Sequence, residues 1–346
     1  MFAEITVWSF SFESIWLAIA ILLAGFAVLI KGADFLVDGA SSTAKKFGVS
    51  DLAIGLTVVA FGTSLPELIV SLFSALDGKN DASFGNVIGS NNFNMMFILG
   101  IAGVVYPLSV QRNTVKFEIP LSLLAAAILY VMVNDVLLWG ASPAEFNGMG
   151  GSLSRVDSFI LLAAFAGFLY YIYLTMRNGD GAEASGESQT KIYSTGTALV
   201  MIAIGLGMLI GGGITVVDSA IGIATYFGLS EKLIGLTILA AGTSLPELAT
   251  SAVAAYRKNA DIAIGNVVGS NIFNILFILG ITGAIHPIQF NTAMNFDLYV
   301  LFGCTTALMI FMFTLRSHKL DRWEAVLFLL LYLAYTLYLV ELEVAG

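Results

Sequence analysis

Apolar runs of about 20 residues, the length that crosses a bilayer as a helix, recur along the whole chain. Ten spans are predicted, near 14–38, 51–76, 83–105, 117–134, 158–176, 195–226, 232–256, 262–285, 296–315 and 323–340. The first and sixth are long. Gly25 and Gly32 in the first, and Gly205, Gly207 and Gly211 to Gly213 in the sixth, predict interruptions or bends. Between the fifth and sixth lies RNGDGAEASGESQTK, residues 177–191, which is acidic, Gly/Ser-rich and predicts a flexible linker. It divides the chain into two five-span halves, 1–176 and 192–346.

The halves repeat each other. GLTVVAFGTSLPELIVS, from Gly55 to Ser71, returns 180 positions later as GLTILAAGTSLPELATS, from Gly235 to Ser251, identical at 12 of 17 places. A second block, FGNVIGSNNFNMMFILG from Phe84 to Gly100, returns at the same offset as IGNVVGSNIFNILFILG, again identical at 12 of 17. Asp38 and Asp218, Gly48 and Gly228, and Pro107 and Pro287 keep the offset too. Two such blocks in one register mean internal duplication, with motif regions at 55–100 and 235–280. Because five is odd, the second half must enter the membrane upside down relative to the first.

Charge supports this layout. With the N-terminus outside, 11 of the 15 basic residues fall in inside loops and only Lys79, Arg155 and Lys232 in outside ones. The expectation is a multi-pass membrane protein with both termini outside. The 346 residues are 58% hydrophobic and 11% charged, against about 25% charged in soluble domains. The net charge of −9 is spread over loops and a few intramembrane positions, so it does not describe a nucleic-acid surface. The opening MFAEITVWSF lacks a basic n-region, so no removable signal is expected. The single cysteine, Cys304, excludes an intrachain disulfide and any multi-cysteine metal site.

Each repeat places a Glu, Glu67 or Glu247, in a stretch apolar enough for hydrocarbon. A carboxylate there costs about 2.5–3.5 kcal/mol, so two at matching positions point to a cation site shared by both halves. At helical spacing Ala60, Ser64, Glu67 and Ser71 share a face, joined by Thr63. Pro66 has no N–H to offer the carbonyl of Gly62, so the helix should break beside the carboxylate and free backbone oxygens. Gly242, Thr243, Ser244, Pro246 and Glu247 repeat the device. The second block sets Asn86, Ser90 and Asn94 on one stripe, matched by Asn266, Ser270 and Asn274. Two carboxylates with neutral oxygens suit a hard cation such as Ca²⁺, which takes 6–8 oxygen ligands. The absence of His and Cys from these blocks argues against zinc, copper or iron.

Two ionised Glu carry −2, which one Ca²⁺ or two or more Na⁺ could neutralise, but hardly both at shared ligands. Mutual exclusion at a site opened alternately to each face is antiport. Protons compete for the same carboxylates, because burial disfavours a bare charge. The bland alternative is that Gly, Ser and Thr stripes serve only close helix packing. Asp34, Asp38 and Asp218 could line an access path, but near span ends they are expected to face water or pair locally. A proton-coupled or potassium-dependent divalent exchanger, a cation channel and an intramembrane hydrolase are the competing functions. The last lacks a base for Ser64 or Ser244.

At GTSLPEL in both halves, with GNVIGSNNFN and GNVVGSNIFN, the chain resembles the prokaryotic sodium/calcium exchangers of the cation/calcium exchanger superfamily. The resemblance implies an all-α integral membrane protein. Its ten helices would form two inverted repeats, with a four-helix core and two long sliding helices. It implies electrogenic Ca²⁺ export driven by Na⁺ influx, with no enzymatic activity and no cofactor beyond the transported ions. Carried over by motif, Glu67 and Glu247 bind Ca²⁺ and Na⁺, and Thr63 and Thr243 give backbone oxygens. Ser64, Ser90, Ser244 and Ser270 complete flanking Na⁺ sites with the carbonyls of Ala60 and Ala240, while Asn94 and Asn274 border the centre. Many relatives carry Asp where this chain has Asn274, so a third central carboxylate is missing and a potassium-dependent reading is weakened.

Overall fold

A computed structural model of the chain describes residues 15–142, 145, 149–178, 191–227, 240–314 and 318–345. Most of the expected linker, residues 232–239 at the start of the seventh expected span, with the opening GLTIL of the second GLTILAAGTSLPELATS copy, and the N-terminal 14 residues lie outside these. The main helices are α1 Ile15–Phe47, α2 Asp51–Thr63, α3 Leu65–Leu76, α4 Asn80–Val105, α5 Thr114–Val133 and α6 Arg155–Asn178. They continue with α7 Thr195–Tyr226, α8 Leu245–Tyr256, α9 Ala260–Ile285, α10 Asn295–Phe311 and α11 Arg322–Ala345. Among the described residues eight helices are long and apolar enough to cross a membrane, and α2 with α3, bent at 46°, makes up to a ninth when the pair is taken as one span. The protein is an all-α, multi-pass membrane protein.

Burial separates core from rim. The apolar window of α9 is 94% buried and that of α4 78%, whereas α11 is 11% buried and α1 and α6 22%. An apolar helix left open on its outer side is what lipid permits and water does not. The four motif segments therefore form the centre, with α5, α6, α10 and α11 packed outside. The rim is exchanged between halves: α11 lies along α4, and α6 lies along α9. Two short antiparallel ribbons cross in the same sense. Leu108–Ser109 (β1) pairs with Lys319–Leu320 (β4), and Gly151–Leu153 (β2) with Ile288–Phe290 (β3).

Two expectations about the long helices change. Neither α1 nor α7 is interrupted at its glycines, and four of them, Gly25, Gly32, Gly205 and Gly212, instead let the two helices touch. A Cβ at Gly205 would sit 2.7 Å from the backbone nitrogen of Leu36, and one at Gly32 2.9 Å from the carbonyl of Gly205. In lipid, such small-residue seams replace the hydrophobic drive that water supplies elsewhere. The first helix also runs on to Phe47, so Asp34 and Asp38 lie well inside it. Asp34 pairs locally with Lys31 at 3.6 Å, yet both carboxylates also receive the guanidinium of Arg257, at the end of α8 in the other half. The expectation of local pairing holds for Asp34 with Lys31, and beyond it lies a clamp between distant segments, with α1 packed along α8 beside it. The counterpart pair by the 180-residue offset, α7 and α3, makes no comparable contact.

Candidate functional site

The break predicted from Gly62 and Pro66 occurs at Ser64, where the backbone turns (φ −85°, ψ 7°) and α2 and α3 meet at 46°. Ser244 has nearly the same geometry (φ −89°, ψ 8°) ahead of α8, after a helical turn from Ala240 to Gly242. Each Pro sits in the first turn of the new helix, where its missing N–H costs nothing. Each Glu follows in that turn, where the exposed N–H groups of a helix start favour negative charge. Both Glu side chains are 1% exposed.

The halves then lock reciprocally. Ser64 donates to Glu247 Oε1 at 2.9 Å, and Ser244 donates to Glu67 Oε1 at 2.9 Å. Ser90 approaches Glu67 Oε1 at 3.5 Å, and Ser270 approaches Glu247 Oε1 at the same distance. Thr63 donates to Asn266 Oδ1 at 3.1 Å, and Thr243 to Asn86 Oδ1 at 3.2 Å. Asn86 Nδ2 donates to the Glu67 carbonyl at 3.2 Å and to Ser71 at 2.9 Å; Asn266 repeats this on Glu247 and Ser251 at the same distances. With both ends of their amides engaged, Asn86 and Asn266 brace the carboxylate turns, so the stripe divides into bracing and facing residues. The carbonyl of Ala60 accepts from Ser64 N–H at 3.0 Å, the last helical bond before the break. Gly269 brings α9 against it, since a Cβ there would lie 2.9 Å from Ala60 Cβ.

At Phe93–Ile98 in α4 and Phe273–Leu279 in α9 the helix widens to π geometry, so that Leu99 N–H reaches back to the Asn94 carbonyl. Wide turns of this kind cluster at functional sites. Asn94 Nδ2 donates to Asn271 Oδ1 at 3.0 Å, and Asn274 Nδ2 to Asn91 Oδ1 at 3.0 Å. Sequence reasoning passed over Asn91 and Asn271. Their signal was present, since both stand in the repeated GSN of the second block, directly after Ser90 and Ser270. Arg257 is one of the 11 basic residues assigned to inside loops, and nothing in its local sequence announces Asp34 or Asp38 as partners.

Thirteen buried side-chain oxygens, among the described residues, have no hydrogen-bond partner, and four of them belong to the predicted site residues: Glu67 Oε2, Glu247 Oε2, Asn94 Oδ1 and Asn274 Oδ1. Buried acceptors left without a donor cost about 1–3 kcal/mol each, more when charged. Acceptors from four helices, two of them formally anionic, suit a cation and repel an anion. The donor set is all oxygen, the chemistry of Ca²⁺ and other hard cations.

The model of the family described as sodium/calcium exchanger protein matches residues 17–174 and 197–341. The chain is 35% identical over 323 residues to the putative antiporter CaxA of Alkalimonas amylolytica, covering 91% of this chain and 96% of that protein. It is 30% identical over 345 residues to the sodium/calcium exchanger MaX1 of Methanosarcina acetivorans, covering 91% and 96%. Among solved structures, the sodium-calcium exchanger NCX_Mj superimposes with a TM-score of 0.75 at 32% identity, over 92% of this chain and 97% of that one. With motifs, architecture and matches along nearly its whole length in agreement, this chain belongs to the sodium/calcium exchanger family.

Proposed function

We propose that the protein is a Na⁺/Ca²⁺ antiporter working by alternating access, and that Na⁺ influx drives electrogenic Ca²⁺ export. The observation that carries the reading is the set of four donor-less buried oxygens held between the two repeats. Glu67 and Glu247 supply the charge. Ca²⁺ takes the centre between their carboxylates, with the backbone oxygens of Thr63 and Thr243 beside it. Na⁺ takes the flanks, one by Ser64 and Ser270 against Glu247, the other by Ser90 and Ser244 against Glu67, with the carbonyls of Ala60 and Ala240. Asn94 and Asn274 border the centre.

The mechanism follows from charge. One Ca²⁺ neutralises the carboxylate pair, and so do Na⁺ ions in sufficient number, but the same oxygens cannot serve both sets. Emptied of both, the site leaves two like charges in a low dielectric, which opposes any movement that seals it. Cargo of either kind is therefore a condition for switching faces. Within this reading the chain forms ten spans in two inverted halves, 1–176 and 192–346, with both termini outside a prokaryotic cell membrane and α1 and α7 as the moving pair.

The test is Ca²⁺ flux in proteoliposomes under imposed Na⁺, K⁺ and pH gradients. Uptake driven by a Na⁺ gradient, sensitive to membrane potential and indifferent to K⁺, is expected. Uptake driven only by a pH gradient overturns Na⁺ coupling, and conductance at channel rates overturns the carrier.

A further inference from the structure

The four donor-less oxygens include two amide oxygens, and an amide can present either of its ends. Something must turn Asn94 and Asn274 so that oxygen, not N–H₂, is left free. The structure assigns that role to Asn91 and Asn271, which the transport reading leaves without a task. We propose that they are positioning residues that fix the Asn94 and Asn274 amides as acceptors toward the cation site.

The argument starts from backbone, whose polarity is not negotiable. The carbonyl of Asn91 can only accept, and Asn271 Nδ2 donates to it at 3.3 Å. That contact settles which way Asn271 faces, and leaves its Oδ1 toward Asn94. An oxygen facing Asn94 demands a donor, so Asn94 turns Nδ2 to it at 3.0 Å and its own Oδ1 is left over. The mirror sequence runs from the carbonyl of Asn271 through Asn91 Nδ2 at 3.3 Å to Asn274 Nδ2 at 3.0 Å. Reversing any one amide would set oxygen against oxygen and force its neighbour to reverse, ending on a carbonyl that cannot donate. All four side chains are at most 1% exposed, so water cannot repair a reversal. Asn94 stands one turn beyond Ser90, whose hydroxyl reaches Glu67, so both residues share one face of α4. The four asparagines add no charge, so the site keeps the −2 of its two Glu.

The inference rests on the proposed cation site, and the experiment separates the two. Equilibrium ⁴⁵Ca²⁺ binding is measured on purified protein for wild type, Asn94→Ala, Asn271→Ala and the double variant, with E67Q alongside. The mirror cycle uses Asn274→Ala and Asn91→Ala, and thermal melting without Ca²⁺ reports folding in each. Asn271→Ala is expected to weaken Ca²⁺ about tenfold, as Asn94→Ala does, while the double variant binds no more weakly than Asn94→Ala alone. Undiminished affinity in Asn271→Ala overturns the proposal. So do losses that multiply in the double variant, because a purely structural asparagine would act regardless of residue 94. If E67Q binds Ca²⁺ as well as wild type, it is the cation site itself that falls. A variant that melts early is judged by its mirror cycle.

Discussion

Ser64 reaches across 183 residues of sequence to donate a 2.9 Å hydrogen bond to Glu247, the carboxylate of the opposite repeat. Ser244 returns the bond to Glu67. Neither carboxylate is oriented wholly by its own half, so damage on one side is felt by the other.

Replacing Ser64 or Ser244 with Ala should therefore weaken Na⁺ coupling by similar amounts, although the residues lie in different repeats. Each loses a hydroxyl of a proposed Na⁺ site and a bond to a charged group, the latter worth about 1.5–3 kcal/mol. The expected result is a rise of about tenfold or more in the Na⁺ concentration giving half-maximal Ca²⁺ efflux from proteoliposomes. Unchanged Na⁺ dependence in both variants would remove the flanking sites from the scheme.

Glu67→Gln and Glu247→Gln should abolish Ca²⁺ transport while leaving the protein folded. In the absence of cations they should also raise the melting temperature, because each removes one of two like charges buried together. Ca²⁺ should stabilise wild type progressively, by about 2.7 kcal/mol at a hundred times its Kd, and stabilise neither variant. Melting in chelator and across a Ca²⁺ series checks both statements. Equal Ca²⁺ stabilisation of wild type and variants would contradict them.

Gly205 sits where α7 touches the backbone of α1. Gly205→Ala should force the helices apart at a cost of about 1–3 kcal/mol, seen as early melting in detergent. Gly207→Ala, on the same helix with open space around its Cβ position, is the control and should melt like wild type.

Arg257→Gln should free α1 from α8. The guanidinium side chain is 32% exposed, so the clamp contributes on the order of 1 kcal/mol rather than the several a fully buried pair would. Hydrogen exchange over the last three turns of α1 should rise several-fold in the variant and stay close to wild type in Arg257→Lys. Identical protection in all three would mean the clamp holds nothing.

The duplication and its two carboxylates were legible because each stands out locally. A repeat is visible by alignment, and an acid in an apolar run needs a reason. The break at Ser64 was legible from Gly62 and Pro66 for the same cause. Asn91 and Asn271 were not, since an asparagine that orients its neighbour looks like any other until the opposite helix is in place. The glycines of α1 and α7 misled, because a residue that weakens a helix in water is, in lipid, the means of a close approach. The crossed ribbons of two or three residues carry too little pattern to be seen at all.

The clamp has no twin. By the 180-residue offset that relates the repeats, Asp38 finds its equivalent in Asp218, but the place of Arg257 is taken by Asp77 and that of Asp34 by Ile214. A device assembled from two copies of one sequence would idle with equal ease in either of two poses. Here Arg257 ties α1 to α8, whereas by the same offset Asp77 would meet Asp218, acid against acid. The two halves are alike in sequence and unlike in how their long helices are fastened.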